Sequence, residues 1–115
     1  DALQAEADDE GRCVLGEIVA ELWTLRQMSM SVAGQISNGA DPALEAAMVK
    51  DLGATFEQEL PHRIQACLDD GADNAHDEQL VSVLDYLLNA APSFSLRGGT
   101  REILRGIIAR GLGLR

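Results

Sequence analysis

Phe94-Ser95-Leu96-Arg97-Gly98-Gly99-Thr100-Arg101-Glu102-Ile103-Leu104-Arg105-Gly106-Ile107-Ile108-Ala109-Arg110-Gly111-Leu112-Gly113-Leu114-Arg115 closes the chain. Gly98-Gly99 marks a turn, because glycine enters positive φ freely and lets backbone approach another group. Thr100 then stands where a helix N-cap stands, and Ile103, Leu104, Ile107, Ile108 and Leu112 follow it at the helical period. Arg97, Arg101 and Arg105 recur every fourth residue near the start of that helix, where backbone N–H groups and the macrodipole favour an anion. The tail reads as a glycine-hinged amphipathic helix with one face to bury and cations near its beginning.

Working back from this helix, others like it appear. Asp1 to Gly11 is acidic and polar, and a frayed start is expected over 1–11. From about Arg12, the residues Val14, Ile18, Leu22, Leu25, Met28, Val32 and Ile36 are spaced by three or four, predicting one long helix that closes near Asn38-Gly39. Leu15, Val19 and Trp23 broaden its apolar stripe, so contact with two helices or with another chain is expected. Met28 and Met30 read as packing rather than as ligand lining. Asp41-Pro42 restarts the helical pattern, with a capping carboxylate and a proline for the first helical position. Met48, Leu52, Phe56, Leu60, Ile64 and Leu68 then predict a second long helix, which Pro61 should kink or split. The acidic run from Asp69-Asp70-Gly71 to Asp77-Glu78 lacks the Asp-x-Asp-x-Asp-Gly calcium loop and reads as a polar connector. Asp77 can cap a short third helix carrying Leu80, Val83, Leu84, Leu87 and Leu88, ended by Pro92 and Ser93. No strand pattern appears. The predicted fold is all-α: an antiparallel up-and-down helical bundle with two long helices, one short one and a final medium one.

At 115 residues the chain allows a single helical domain spanning 1–115 with a modest core. It starts at Asp1 rather than methionine, so a processed chain, a trimmed one or a piece of a longer protein is expected. No apolar run fits a membrane span and no basic-then-apolar start fits a signal peptide, so a cytoplasmic location is expected. A net charge of −10 argues against nucleic-acid binding, which needs basic surface to replace counterions. From Arg97 onward, however, five arginines face Glu102 alone, giving +4 and leaving −14 for the remainder. Two explanations are open: cations complementing an acidic neighbouring helix and a helix C-terminus, or a patch for a cofactor phosphate. Cys13 and Cys67 lack motif spacing and are expected as small buried thiols, with a disulfide between them as the open alternative. His62 and His76 complete no metal pattern, and the serines at 29, 31, 37, 82, 93 and 95 form no nucleophile elbow.

The run Gly98-Gly99-Thr100-Arg101-Glu102-Ile103-Leu104-Arg105, followed by Ile107-Ile108-Ala109-Arg110, resembles the C-terminal signature of acyl-CoA dehydrogenases, a Gly-Thr-x-Glu-Ile-x-Arg pattern leading into Ile-Ala-Arg. Asp41 to Lys50 is similar to the start of the next-to-last long helix of that family's C-terminal domain, and roughly residues 12 to 115 fit the later part of the domain. The resemblance implies a portion of a flavoenzyme that uses FAD to remove two hydrogens from an acyl-CoA thioester. That reaction needs a carboxylate base for the α-proton and a flavin to take hydride from the β-carbon. In many members the base is the glutamate directly before the Gly-Thr pair, and that place is Gly98 here. Three consequences are open: the base lies on an earlier helix outside this sequence, the subunit is the non-catalytic partner of a heteromeric enzyme, or the activity is lost.

The resemblance also implies cofactor contacts at Gly99, Thr100 and Glu102, and at Gln65, which stands where relatives place a glutamine against a neighbouring subunit's flavin. Relatives follow that glutamine with a Gly-Gly-x-Gly turn. Here Ala66-Cys67-Leu68-Asp69-Asp70-Gly71 follows, and its carboxylates repel a pyrophosphate. Read without the resemblance, Gln65 is a solvent-facing helix residue and Thr100 a plain N-cap. The family's domain begins with a further long helix that this chain lacks. An uncovered apolar face and a homo-oligomer that buries it are therefore expected. The chain is expected to be inactive alone, with FAD empty in isolation and acyl-CoA bound by parts outside this sequence. The competing expectation is a non-enzymatic helical interaction module.

Overall fold

The computed structural model describes residues 2–69 and 78–114. Helix α1 spans Ala2–Ser37, α2 Ala43–Asp69, α3 Glu78–Ala90 and α4 Arg101–Gly111, with a 3-10 helix over Ala91–Leu96 between the last two. There is no strand among the described residues, and the helices pack as an antiparallel all-α bundle. α2 is the hub: α1, α3, the 3-10 helix and α4 all pack against it. At 1.5 Å per residue, α1 alone is about 54 Å long, close to the molecule's 56 Å long axis. The radius of gyration is 17.9 Å, against about 13 Å for a compact domain of this length, so much of α1 has no covering layer.

α1 starts at Ala2 rather than near Arg12, so the frayed start expected over 1–11 is a helix from its second residue. Ala2, Leu3, Gln4, Ala5, Glu6 and Ala7 are good helix formers with no breaker among them. The far end closes as expected. Gly39 takes φ 78°, Ala40 N–H donates to the Gln35 carbonyl at 3.0 Å and Gly39 N–H to that of Ile36 at 3.0 Å, the Schellman pair. α4 ends in the same way, with Gly113 at φ 73° and Leu114 N–H on the Ala109 carbonyl at 2.8 Å.

α2 corrects the reading of its apolar stripe. Its most buried positions are Ala47, Ala54 and Pro61, one per two turns, with Asp51 and Gln58 between them. Met48 and Leu52 are exposed. Small side chains occupy this face because the 3-10 helix and α4 approach it closely, and a leucine there would hold them off. Leu52 and Phe56 instead line an open groove of about 460 Å³ against Leu25 and Met28 of α1. Pro61 does not split the helix; it is fully buried within an unbroken α2, where its missing N–H removes one hydrogen bond. Pro42 accepts the first helical bond, from Ala46 N–H at 2.8 Å, so it sits at the cap, one place before Ala43, rather than at the first helical position expected of it.

α3 buries Leu84, half-buries Leu87 and Leu88, and leaves Leu80 and Val83 exposed. Pro92 and Ser93 do not simply end it. The chain tightens into the 3-10 helix, whose Ala91 is buried and whose Ser93 hydroxyl donates to the Ala90 carbonyl at 2.7 Å. The final helix, at 11 residues, is shorter than the 13-residue α3, the reverse of the expected order. The proposed Asp77 cap and the acidic connector, Asp70 to Asp77, lie outside the described residues, as does the side chain of Asp69.

α1 presents two apolar faces. Val14, Ile18, Leu25, Met28 and Val32 are half-buried, on the side that packs against α2. Leu15, Val19, Leu22, Trp23, Met30 and Ile36 face outward, with Trp23 62% exposed. Leu22 and Ile36, expected on the inward stripe, therefore belong to the outer one. Both cysteines are free; Cys13 is exposed, correcting its expected burial, and Cys67 is half-buried. Among the described residues no helix is long and apolar enough to cross a membrane, and no group of three or more His, Cys, Asp or Glu could hold a metal ion.

Candidate functional site

The corner between the 3-10 helix and α4 is built by backbone chemistry first. Gly98 and Gly99 take φ of 71° and 109°, conformations that any residue with a Cβ enters at a cost, and they reverse the chain into α4. Thr100 is extended at φ −72°, ψ 162°, and its carbonyl accepts Leu104 N–H at 3.0 Å, which places it at the N-cap. Its hydroxyl does not cap the helix. The backbone N–H of Glu102 and the Thr100 hydroxyl beside its carboxylate, with Arg105 and Arg101 nearby, lower the Glu102 pKa below the usual glutamate value. A Cβ at Gly98 would meet only the Lys50 Cε, at 3.5 Å, and one at Gly99 only Leu104 and Ile103, from 3.8 Å outward.

Behind this corner α2 carries a polar seam of Asp51, Thr55 and Gln58. Arg101 Nη2 donates to Thr55 Oγ1 at 2.7 Å and to Gln58 Oε1 at 3.3 Å. Arg101 Nε lies 3.4 Å from Asp51 Oδ1. These two atoms are buried and face one another within ion-pair range, yet they are not aligned as a hydrogen bond. Arg105 Nε lies 3.9 Å from Asp51 Oδ2. Gln58 Nε2 donates to the Ala91 carbonyl at 3.1 Å, tying the 3-10 helix to the same seam. Arg97 pairs with Glu57 at 3.2 Å and lies over the Phe94 ring at 4.6 Å.

The arginine repeat is thereby accounted for by the first of the two explanations open to it: Arg97, Arg101 and Arg105 complement carboxylates of α2. Arg110 occupies the last turn of α4, where a cation suits the helix C-terminus.

Of the residues singled out from the sequence, Gly99, Thr100 and Glu102 share this corner, and Glu102 is exposed. Gln65 does not join them. It is an exposed α2 residue two turns beyond Gln58, about 10 Å further along the helix. Ala66 is exposed beside it, while Cys67 and Leu68 are half-buried. Gly98, at the position expected from the resemblance to hold a base, carries no side chain that could take a proton. Asp51, Thr55 and Gln58 were missed by sequence reasoning. Their signal was present as polar residues at helical spacing, interleaved with Ala47 and Ala54.

An antiparallel helical bundle whose last helix is hinged on paired glycines defines a class of domain. Its identity follows from comparison: the family model "Acyl-CoA dehydrogenase, C-terminal domain" matches residues 7–113 of the 115-residue chain. The chain belongs to the acyl-CoA dehydrogenase family. No curated protein and no solved structure matches it.

Proposed function

We propose that this chain is the C-terminal helical portion of an FAD-dependent acyl-CoA dehydrogenase, supplying subunit packing and one edge of the flavin site. The observation that carries the reading is the family match over 7–113, joined to the open corner where Gly99, Thr100 and Glu102 meet. FAD, when bound, supplies hydride acceptance. The residues here suit an edge of such a site: two positive-φ glycines leave backbone approachable, and the Thr100 hydroxyl and Glu102 carboxylate stand beside it. Gln65, on its own surface, would reach only the flavin of another subunit. The chain's part is holding and orienting; it provides no base at Gly98, and alone it turns over no substrate. Acyl-CoA is bound by parts outside this sequence, and the outer face of α1, with Leu22 and Trp23, packs against another copy.

A second reading has its own support. The missing carboxylate at Gly98 favours the non-catalytic subunit of a heteromeric dehydrogenase, which would keep the flavin edge and the packing without the chemistry. A non-enzymatic interaction module would keep neither flavin nor chemistry.

Titrating FAD into the isotopically labelled 115-residue chain tests the flavin edge. The proposal expects weak binding, with amide shifts confined to Gly99 through Glu102 and lost in Thr100→Ala. Absence of any shift at that corner would favour the interaction module. Turnover of acyl-CoA by the chain with FAD and an electron acceptor would overturn the claim that it is inactive alone.

A further inference from the structure

We infer that Asp51 is a positioning residue for the Gly98–Glu102 corner: its carboxylate anchors Arg101 and Arg105 and so fixes the register of α4 on α2. Asp51 sits on the most buried face of α2, between Ala47 and Ala54, with its side chain 19% exposed. Stability alone gives no reason for a carboxylate there. Withdrawing charge from water is costly, and an apolar residue of similar size would pack without that cost. What an ion in a packed seam does supply is a unique alignment of two elements.

α4 needs one. Arg101 and Arg105 stand one turn apart on α4, so sliding the helix by one turn, about 6 Å, would put Arg105 where Arg101 sits, against the same carboxylate. Asp51 removes the ambiguity by taking Arg101 on Oδ1 and Arg105 on Oδ2. Thr55 and Gln58 then distinguish the two arginines, since both accept from Arg101. The other end of α4 agrees with this register. A Cβ at Gly111 would lie 3.0 Å from Leu44 Cβ, close enough that Leu44 would have to give, and a slip in the opposite sense would bring the larger Ile107 against Leu44. Because Arg101 is the first residue of α4, fixing it also fixes Thr100 and the two glycines before it. That this corner meets a flavin rests on the function proposed above; that Asp51 sets its geometry does not.

The test is run without flavin, on the 115-residue chain. Asp51→Asn keeps the shape and removes the charge. Two readouts are followed by NMR: exchange of the Leu104 amide, which the Thr100 carbonyl protects, and titration of the Glu102 carboxyl. With the anchor lost, Leu104 exchange should rise roughly tenfold relative to amides in the middle of α2, and the Glu102 pKa should rise toward the usual value as the Thr100 hydroxyl leaves it. Loss of a negative charge without loosening would do the opposite, leaving the nearby arginines to hold Glu102 at or below its starting value. Asp51→Glu should restore both readouts in part. Unchanged Leu104 exchange and an unraised Glu102 pKa in folded Asp51→Asn overturn the proposal. Should Asp51→Asn not fold, Arg101→Lys decides: it keeps the charge but cannot span Asp51, Thr55 and Gln58 together, so the same loosening supports the proposal and its absence overturns it.

Discussion

Replacing Gly98 by alanine should introduce about 1–2 kcal/mol of backbone strain, and the source of that cost can be separated from packing. Gly98 has φ 71°, in the left-handed region. The new Cβ would meet nothing closer than the flexible Lys50 Cε, at the ordinary contact distance of 3.5 Å, so no steric term is added. The backbone term is partly offset, because alanine restricts the unfolded chain and returns about 0.4–1 kcal/mol. The net loss is near 1 kcal/mol. Asparagine tolerates the left-handed region better than alanine, so Gly98→Asn should lose clearly less. Urea unfolding followed by circular dichroism reads the difference: with a slope of about 1–2 kcal/mol per molar, Gly98→Ala should unfold at a midpoint about 0.5–1 M lower than the parent. An alanine variant as stable as the parent would refute the reasoning, as would an asparagine variant less stable than the alanine one. Gly98→Glu carries the same backbone cost and directs its carboxylate toward the Lys50 ammonium, so it should not restore a free base.

Gly53 of α2 and Gly111 of α4 should answer in opposite senses. Gly53→Ala, with open space around its Cβ, should gain about 0.5–1 kcal/mol from helix propensity. Gly111→Ala, pressed on Leu44, should lose about 1–2 kcal/mol in the same melts. Glu102 sets a pH dependence whose sign follows from its lowered pKa. Its contribution is fully present above the unfolded-state value and is lost as pH falls through the lower folded value. The stability gap between the parent and Glu102→Gln should therefore close on acidification across that window, and a constant gap would contradict it. If the outer face of α1 seats a second copy, sedimentation should show an assembly that Leu22→Glu dissolves, with the emission of the single tryptophan, Trp23, shifting to the red. A parent chain that sediments as a monomer at every concentration would remove that proposal.

Much of the bundle was legible because helices announce themselves locally. The stripe of α1, the stop at Asn38-Gly39 and the start of α4 at Thr100 each follow from neighbours within two turns. The buried face of α2 was not legible in the same way. Periodicity favours large apolar residues, whereas the tightest contacts fall on Ala47, Ala54 and Pro61. Pro61 itself shows tertiary packing overriding a local breaker, since the helix runs through it. At the corner, Gly99, Thr100 and Glu102 were found through a family pattern. Their support, Arg101 on Thr55, joins residues 46 apart in sequence. No local period encodes such a pairing, and only the packing of α4 on α2 reveals it.

The central claim, that this helical bundle works as part of a larger flavoenzyme, is tested most directly by the mass of the native polypeptide, read on a denaturing gel of source-cell extract with an antibody raised against these 115 residues. The account predicts a band several-fold heavier than the 12.3 kDa of this chain. A band at 12.3 kDa would contradict it, leaving an independent bundle that shares only ancestry with the dehydrogenases.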